Sequence, residues 1–238
     1  MTFKHLTLLT ALAALSFTAV AQEAQIRKNL PVRLPNLPAI EEVRPSAMPG
    51  LFEVRVNRSE IFYTDAKGDY LIQGTMIDTK SRVDLTEQRV NKLSAIAFNQ
   101  LPLKDAFTIV RGKGERKMVV FEDPNCGYCK RFERDLAKID NVTVHVLLYP
   151  ILSQDSADKS RNIWCDKNPS KSFTDWMVND VPPEAGKCDT SAIVRNVEFG
   201  RKANITGTPT MFFADGTRVP GAIPVDRIEK LLQQSKQP

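Results

Sequence analysis

Met118-Val119-Val120-Phe121-Glu122-Asp123-Pro124-Asn125-Cys126-Gly127-Tyr128-Cys129-Lys130-Arg131-Phe132 is the stretch whose reading decides the fold. Its first four residues form a short apolar run suited to a buried strand, and Asp123-Pro124-Asn125 turns the chain. Beyond the turn, Cys129, Phe132, Leu136 and Ile139 recur at spacings of three, four and three, which places them on one buried helical face. Two cysteines therefore stand at the start of a helix that directly follows a buried strand.

Working outward, Val142, Val144, Val146 and Leu148 alternate as the next strand. Residues 154–203 read as mostly helical, with Ala157, Arg161 and Trp164 in one segment, Phe173, Trp176 and Met177 in a second, and Ile193, Val194 and Val197 in a third. Thr210 to Phe213, Asp215-Gly216 and Thr217 to Val219 then predict a hairpin, and Val225, Ile228, Leu231 and Leu232 an amphipathic closing helix. The order is strand, helix, strand, helical insertion, hairpin, helix.

Upstream, Phe52, Val54 and Val56 alternate with Glu53, Arg55 and Asn57, the period-two pattern of a half-buried strand. Ile61 and Tyr63 continue it, Asp65-Ala66-Lys67-Gly68-Asp69 supplies a turn, and Tyr70-Leu71-Ile72 with Met76-Ile77 returns around Gly74. Phe52 to Ile77 thus read as a small antiparallel sheet. Asp84 stands three residues before Glu87 as a capping pair, and Val90, Leu93, Ala97 and Leu101 follow at helical spacing. This predicts a helix that starts at Asp84 and is stopped at Leu101 by Pro102. Pro31, Pro35, Pro38, Pro45 and Pro49 punctuate residues 22–50, read as a mostly extended lead-in with room for a short helix.

At 238 residues, 42% hydrophobic and 26% charged, the chain is too long and too apolar for a disordered tail or a miniature scaffold held by disulfides alone. Lys4, the apolar stretch from Leu6 to Val20 and the small residues Ala19-Val20-Ala21 read as a signal peptide over 1–21, with cleavage after Ala21 and a mature chain from Gln22. That stretch is shorter than the roughly 20 residues of a membrane-spanning helix. The net charge of +5, or +4 without Lys4, is too diffuse to argue for nucleic acid. Without His5 the mature chain keeps only His145, which all but removes histidine-based metal sites and Cys-His or Ser-His-Asp catalysis. Export implies an oxidising compartment where disulfides persist.

Cys126 and Cys129 lie one helical turn apart, close enough to open and close a disulfide. Cys126 faces the unpaired N–H groups and positive dipole end of the helix, which favour its thiolate and make it the expected nucleophile. Cys129 lies one turn inside, on the buried stripe, where desolvation keeps its thiol protonated until it resolves a mixed disulfide. Lys130 and Arg131 read as solvated charge. Glu122 and Asp123 could tune proton transfer, although Asp123 before Pro124 is equally good turn material. A zinc site would need two more ligands, and Cys165 and Cys188 do not supply the usual second close pair. An inert bridge between 126 and 129 would gain little from chain entropy. Four cysteines allow three pairings and the sequence does not choose among them. If 126 pairs with 129, Cys165 pairs with Cys188 as a structural disulfide across the helical insertion, worth roughly 3 kcal/mol.

Phe121-Glu122-Asp123-Pro124-Asn125-Cys126-Gly127-Tyr128-Cys129, with Thr206-Gly207-Thr208-Pro209-Thr210 some eighty residues later, resembles the thioredoxin-fold disulfide isomerases of the DsbC/DsbG group. The resemblance runs from about Leu51 to the C-terminal helix. It implies a mixed α+β and α/β chain: an antiparallel-sheet dimerisation domain over 51–83, a linker helix over 84–104, and a thioredoxin-like catalytic domain over 105–238 with a helical insertion. It implies that Pro209 is a cis-proline opposite Cys126, and that Thr208 and Pro209, with Gly127 and Tyr128, form the substrate-binding surface. It also implies a periplasmic homodimer, kept reduced by an inner-membrane donor of the DsbD type and acting on misoxidised secreted proteins. The chemistry needs neither metal nor organic cofactor. Two other readings stay open: a DsbA-like dithiol oxidant, which would rest oxidised, and a chaperone-like dimer that binds unfolded chains without catalysis.

Overall fold

The structure is a computed structural model that describes residues 6–235, with side chains from residue 20 onward. It divides into two compact units between Ser94 and Ala95. Among the described residues no helix is long and apolar enough to cross a membrane.

The first unit opens with α1 (Leu6–Arg33). The expected signal peptide lies partly outside the described residues, and the helical backbone is continuous through Ala21. A four-stranded antiparallel sheet follows, in the order β1 (Glu42–Pro45), β2 (Leu51–Val56), β3 (Glu60–Asp65), β4 (Leu71–Ile72). Phe52, Val54 and Val56 are buried as their alternation requires, with Phe52 opposite Thr64 and Val54 opposite Phe62. The lead-in is not mostly extended. Ile26 and Leu30, four residues apart on α1, pack with Val43 of β1 against Phe52, Val54, Val56 and Phe62. This contact carries the helix through Pro31, which sits near its C-terminal end and so disrupts little of it.

Glu53 departs from the alternation too, being buried on the supposedly polar face. Two guanidiniums cover it: Arg44 grips both carboxylate oxygens at 2.9 Å and Arg89 adds a third bond at 2.9 Å. Met76-Ile77 does not join the main sheet. Instead β5 (Ile77–Asp78) pairs with β6 (Val83–Asp84) as a separate ribbon. Next, α2 (Leu85–Leu93) is capped by Asp84, whose side chain accepts from the Glu87 N–H at 2.8 Å.

The helix expected to reach Leu101 ends at Leu93. Ser94 turns its N–H and hydroxyl back onto the Val90 carbonyl. Beyond it, Ile96, Phe98, Leu101 and Leu103 pack with Val119, Phe121 and Phe212 through short 3-10 turns at Phe98–Gln100 and Leu103–Asp105. Tertiary packing in the second unit overrides the helical spacing of Ala97 and Leu101.

The second unit holds β7 (Phe107–Arg111), β8 (Arg116–Glu122), α3 (Gly127–Leu136), β9 (Val142–Leu148), α4 (Gln154–Trp164), α5 (Pro169–Asn179), α6 (Ser191–Lys202), β10 (Thr210–Phe213), β11 (Arg218–Pro220) and α7 (Val225–Gln234). Its sheet runs β11-β10-β8-β9-β7, with β8 and β9 parallel and the remaining pairs antiparallel. The fold is thus an antiparallel-sheet N-terminal unit followed by a thioredoxin-like unit with an inserted helical segment. The sequence reading lacked β7, an edge strand in which only Phe107 is fully buried. Met118 to Phe121 lie at the centre of the sheet and are wholly buried. Opposite faces of β8 feed two cores. Met118 and Val120 pack with Cys129, Phe132 and Leu136, while Val119 and Phe121 pack with Leu147 and Phe212. The C-terminal end of β8 delivers the chain to the Cys126 turn.

Candidate active site

Cys126 is the N-cap of α3: its backbone is extended at φ −76° and ψ 113°, and its sulfur accepts from the Cys129 N–H at 3.2 Å. The preceding turn is closed by the Cys126 N–H donating to Asp123 O at 3.0 Å. Asp123, wholly buried, uses one carboxylate oxygen for the Asn125 N–H and the other for the N–H groups of Ile151 and Leu152. Asp123 is therefore turn and loop architecture.

The two thiols are driven apart electrically. Cys126 is lowered to about 6, chiefly by a hydrogen bond from the Cys129 side chain and further by Thr208 and the N–H groups of Cys129 and Tyr128, against the opposing effect of burial. Cys129 moves strongly the other way, because burial disfavours its charge and because it serves as the protonated donor to Cys126. One sulfur is anionic near neutrality while its neighbour holds a proton. Cys126 is 6% exposed, but a Cβ added at Gly127 or Gly207 would meet nothing within 4 Å, and Tyr128 stands 69% exposed. The site is open on that side.

Beneath the pair lie two carboxyls: Glu122, already a possible tuner of proton transfer, and Glu133, absent from the expected site. Glu122 and Glu133 are both wholly buried, and none of their four oxygens has a hydrogen-bond partner among the described residues. The nearest cation is Arg111, 3.7 Å from Glu133. Burial raises both pKa values; proximity to Glu133 and to Cys126 raises Glu122 further, whereas Arg111 offsets part of the rise at Glu133. Glu133 stands four residues after Cys129 and three before Leu136, so helical spacing puts it on the buried side of α3, a signal masked by a residue type usual at the surface.

The Thr206–Thr210 loop meets the cysteines from the other side. The Thr208–Pro209 peptide is cis, and the Cys126 sulfur lies 3.2 Å from the Thr208 carbonyl oxygen, to which it donates only when protonated. Tyr149 and Arg218 hold the base of this loop. The Tyr149 hydroxyl donates to Ile205 O at 2.8 Å, while Arg218 donates to Ala203 O and Asn204 O at 2.9 and 2.8 Å. Gly200 is required here, because any Cβ would run into the Tyr149 ring. Pro209 O in turn accepts from Gly221 N at 2.7 Å. Cys126, Cys129, Gly127, Tyr128, Thr208 and Pro209 therefore converge at one place.

The helical insertion supplies three further residues that spacing did not reveal. Trp176 Nε1 donates to Pro124 O at 2.6 Å, and Asn125 Nδ2 donates to Asp155 Oδ2 at 2.7 Å. Lys130 is not free solvated charge: its ammonium lies 3.5 Å from the centre of the Trp176 ring and pairs with Asp180. Away from this cluster, Cys165 at the end of α4 is bonded to Cys188. No group of metal-binding side chains occurs among the described residues.

Comparison with known proteins completes the picture. The profile of a thioredoxin-like domain matches residues 103–236, and that of the disulfide bond isomerase protein N-terminal domain matches residues 17–87. The probable thiol:disulfide interchange protein DsbC of Bordetella avium is 40% identical over 210 residues, covering 88% of this chain and 74% of that protein. This chain belongs to the DsbC family. Its Bordetella parapertussis relative, also a probable DsbC, is 46% identical over 183 residues, covering 77% of this chain, and the chain spans 65% of that protein's length. The Escherichia coli K12 thiol:disulfide interchange protein DsbC is 29% identical over 239 residues, covering 97% and 96% of the two chains. Among solved structures, a disulfide interchange protein from Neisseria gonorrhoeae superposes with a TM-score of 0.55 at 34% identity, over 57% of this chain and 99% of that one. The DsbC-family match spans both units, and the thioredoxin-like part holds the cysteine site.

Proposed function

We propose that the chain is a protein disulfide isomerase and reductase that reshuffles non-native disulfides in secreted proteins by thiol–disulfide exchange. The observation that carries this reading is Cys126, an N-cap sulfur lowered to about 6 beside the Thr208–Pro209 loop. The Cys126 thiolate attacks a substrate disulfide, forming one S–S bond and releasing a substrate thiolate as the old bond breaks. A second substrate thiolate can then displace Cys126, which regenerates it and leaves the substrate isomerised with no net change in electrons. Alternatively Cys129 loses its proton, attacks Cys126 and leaves a 126–129 disulfide with a reduced substrate. Thr208, Pro209, Gly127 and Tyr128 would line the substrate segment, and Cys165–Cys188 would serve structure only.

The wider setting belongs to the same proposal. Residues 51–83 act as the dimerisation domain of a homodimer, with residues 84–104 as the linker to the catalytic domain. The chain works in the periplasm after cleavage behind Ala21, and a DsbD-type inner-membrane donor keeps Cys126 and Cys129 reduced. The matches to the DsbC N-terminal domain and to named DsbC proteins support this setting.

The test is reactivation of a scrambled disulfide protein together with thiol trapping in cells. Wild type should restore activity and be trapped with the 126–129 pair mostly reduced, while Cys126→Ala should fail to reactivate the substrate. A pair trapped fully oxidised would assign the chain to the oxidants. Unchanged reactivation by Cys126→Ala would reject catalysis at this site.

A further inference from the structure

The three residues that lead into Cys126 are all held by the chain that follows β9. Asp123 accepts from Ile151 and Leu152 at 2.9 and 3.0 Å, Pro124 O accepts from Trp176 Nε1 at 2.6 Å, and Asn125 donates to Asp155 at 2.7 Å. Because the Cys126 N–H returns to Asp123 O, residues 123–126 form a turn whose central peptide joins Pro124 to Asn125. The turn families differ mainly in which way that central carbonyl points, and a proline followed by asparagine suits more than one of them. Here the Trp176 indole fixes the direction of the carbonyl.

This matters because Cys126 is both the last residue of the turn and the N-cap of α3. Freeing the Pro124 carbonyl would loosen the turn that holds the Cys126 backbone at φ −76° and ψ 113°, and with it the 3.2 Å contact between the Cys126 sulfur and the Cys129 N–H. The same indole ring bears the ammonium of Lys130 at 3.5 Å, one residue beyond Cys129. One half-buried side chain on α5 therefore touches the chain on both sides of the cysteine pair.

We propose that Trp176 is a positioning residue for Cys126, its indole N–H holding the Pro124 carbonyl and so aiming the Cys126 sulfur at the start of α3. The proposal rests on the reading of Cys126 as the nucleophile. A tryptophan that merely packs α5 would need its ring but not its N–H. The two duties are separable, because phenylalanine keeps a ring for Lys130 and gives up the donor.

The experiment is the pH dependence of Cys126 alkylation in the full chain, for wild type, Trp176→Phe, and a chain whose residue 176 carries benzothiophene, which has the shape of indole without the N–H. Thermal melting of each is measured alongside. Wild type should titrate near 6. Both variants should titrate about one pH unit higher, so that alkylation at pH 6 slows about fivefold. A lower melting temperature with an unmoved midpoint in both variants would overturn the proposal and leave Trp176 as packing. A wild-type midpoint near that of a free cysteine would instead sink the nucleophile reading itself, and the positioning role with it.

Discussion

The two cysteine pairs of the second unit invert a simple expectation. Cys126 and Cys129, both buried, are free thiols, while Cys165 and Cys188, half-buried and exposed, are bonded to each other. Burial alone does not separate a reactive sulfur from an inert one. The first pair stands on a helix start, where N–H groups and a neighbouring thiol share one negative charge unequally. The second pair joins the end of α4 to the segment before α6 and has no such field around it. The first pair should govern the reaction and the second the stability of the insertion.

The sharpest way to break that division is to disable each pair in turn. Cys126→Ala should abolish exchange, measured as release of a mixed disulfide or as reactivation of a scrambled protein, while leaving the melting temperature at pH 6 and below nearly unchanged. Replacing Cys165 and Cys188 together by alanine should do the converse. Opening a loop that spans 23 positions should cost about 3 kcal/mol in denaturant unfolding and alter exchange less than twofold. If the second variant lost exchange as the first did, the contrast between the pairs would be wrong.

Within the reactive pair, the asymmetry itself can be tested. Cys129→Ala removes the largest influence that lowers Cys126, so the alkylation midpoint should rise from about 6 toward the ordinary thiol range. Because Cys126 is depressed in the folded protein, its thiolate stabilises the reduced chain fully above the ordinary thiol value, and that contribution is lost as pH falls through about 6. Reduced wild type should therefore lose its advantage over Cys126→Ala between pH 9 and pH 6. An advantage constant across that window would deny the depressed ionisation.

How much of this was legible differs by region. The Met118–Phe121 strand shows as an unbroken apolar run because both its faces are buried, and the Cys126–Cys129 helix start with the stripe of Phe132 and Leu136 shows as a helical period because one face is. Glu122 stood beside the motif as a possible tuner of proton transfer, but Glu133 and Trp176 did not show, since their roles come from long-range partners: Arg111 on β7 and the turn at Pro124. The same reason hid the packing of Ile26 and Leu30 behind a run of prolines and let Leu101 masquerade as the end of a helix. Glu53 is the plainest case, a buried carboxylate on a polar face that becomes tolerable only when Arg44 and Arg89 arrive from elsewhere in the chain.

Glu122 extends the comparison from sulfur to carboxyl. Its pKa is raised in the folded state by burial, by Glu133 and by Cys126, so folding favours its protonated form. A group raised in this way contributes fully below its unfolded value and loses that contribution as pH climbs toward its folded value. Glu122→Gln should therefore stabilise the chain by about 1 kcal/mol at pH 8 and have little effect near pH 4. Equal effects at the two pH values in urea titrations would show that the carboxyl does not titrate with folding.

Tyr128 carries the smallest expected effect and the finest distinction. It lies between the two cysteines in sequence yet stands 69% exposed, so truncation removes no core contact. Tyr128→Ala should leave stability within about 0.5 kcal/mol of wild type. Its backbone N–H helps to lower Cys126 and survives the substitution, so the alkylation midpoint should stay near 6. What remains for the ring is contact with a bound chain, where an exposed aromatic offers apolar area at little conformational cost. KM for a scrambled-protein disulfide should rise severalfold, while the rate with a small disulfide such as oxidised glutathione stays unchanged. A variant equally slow toward both would place the defect at the sulfur and remove Tyr128 from the substrate surface.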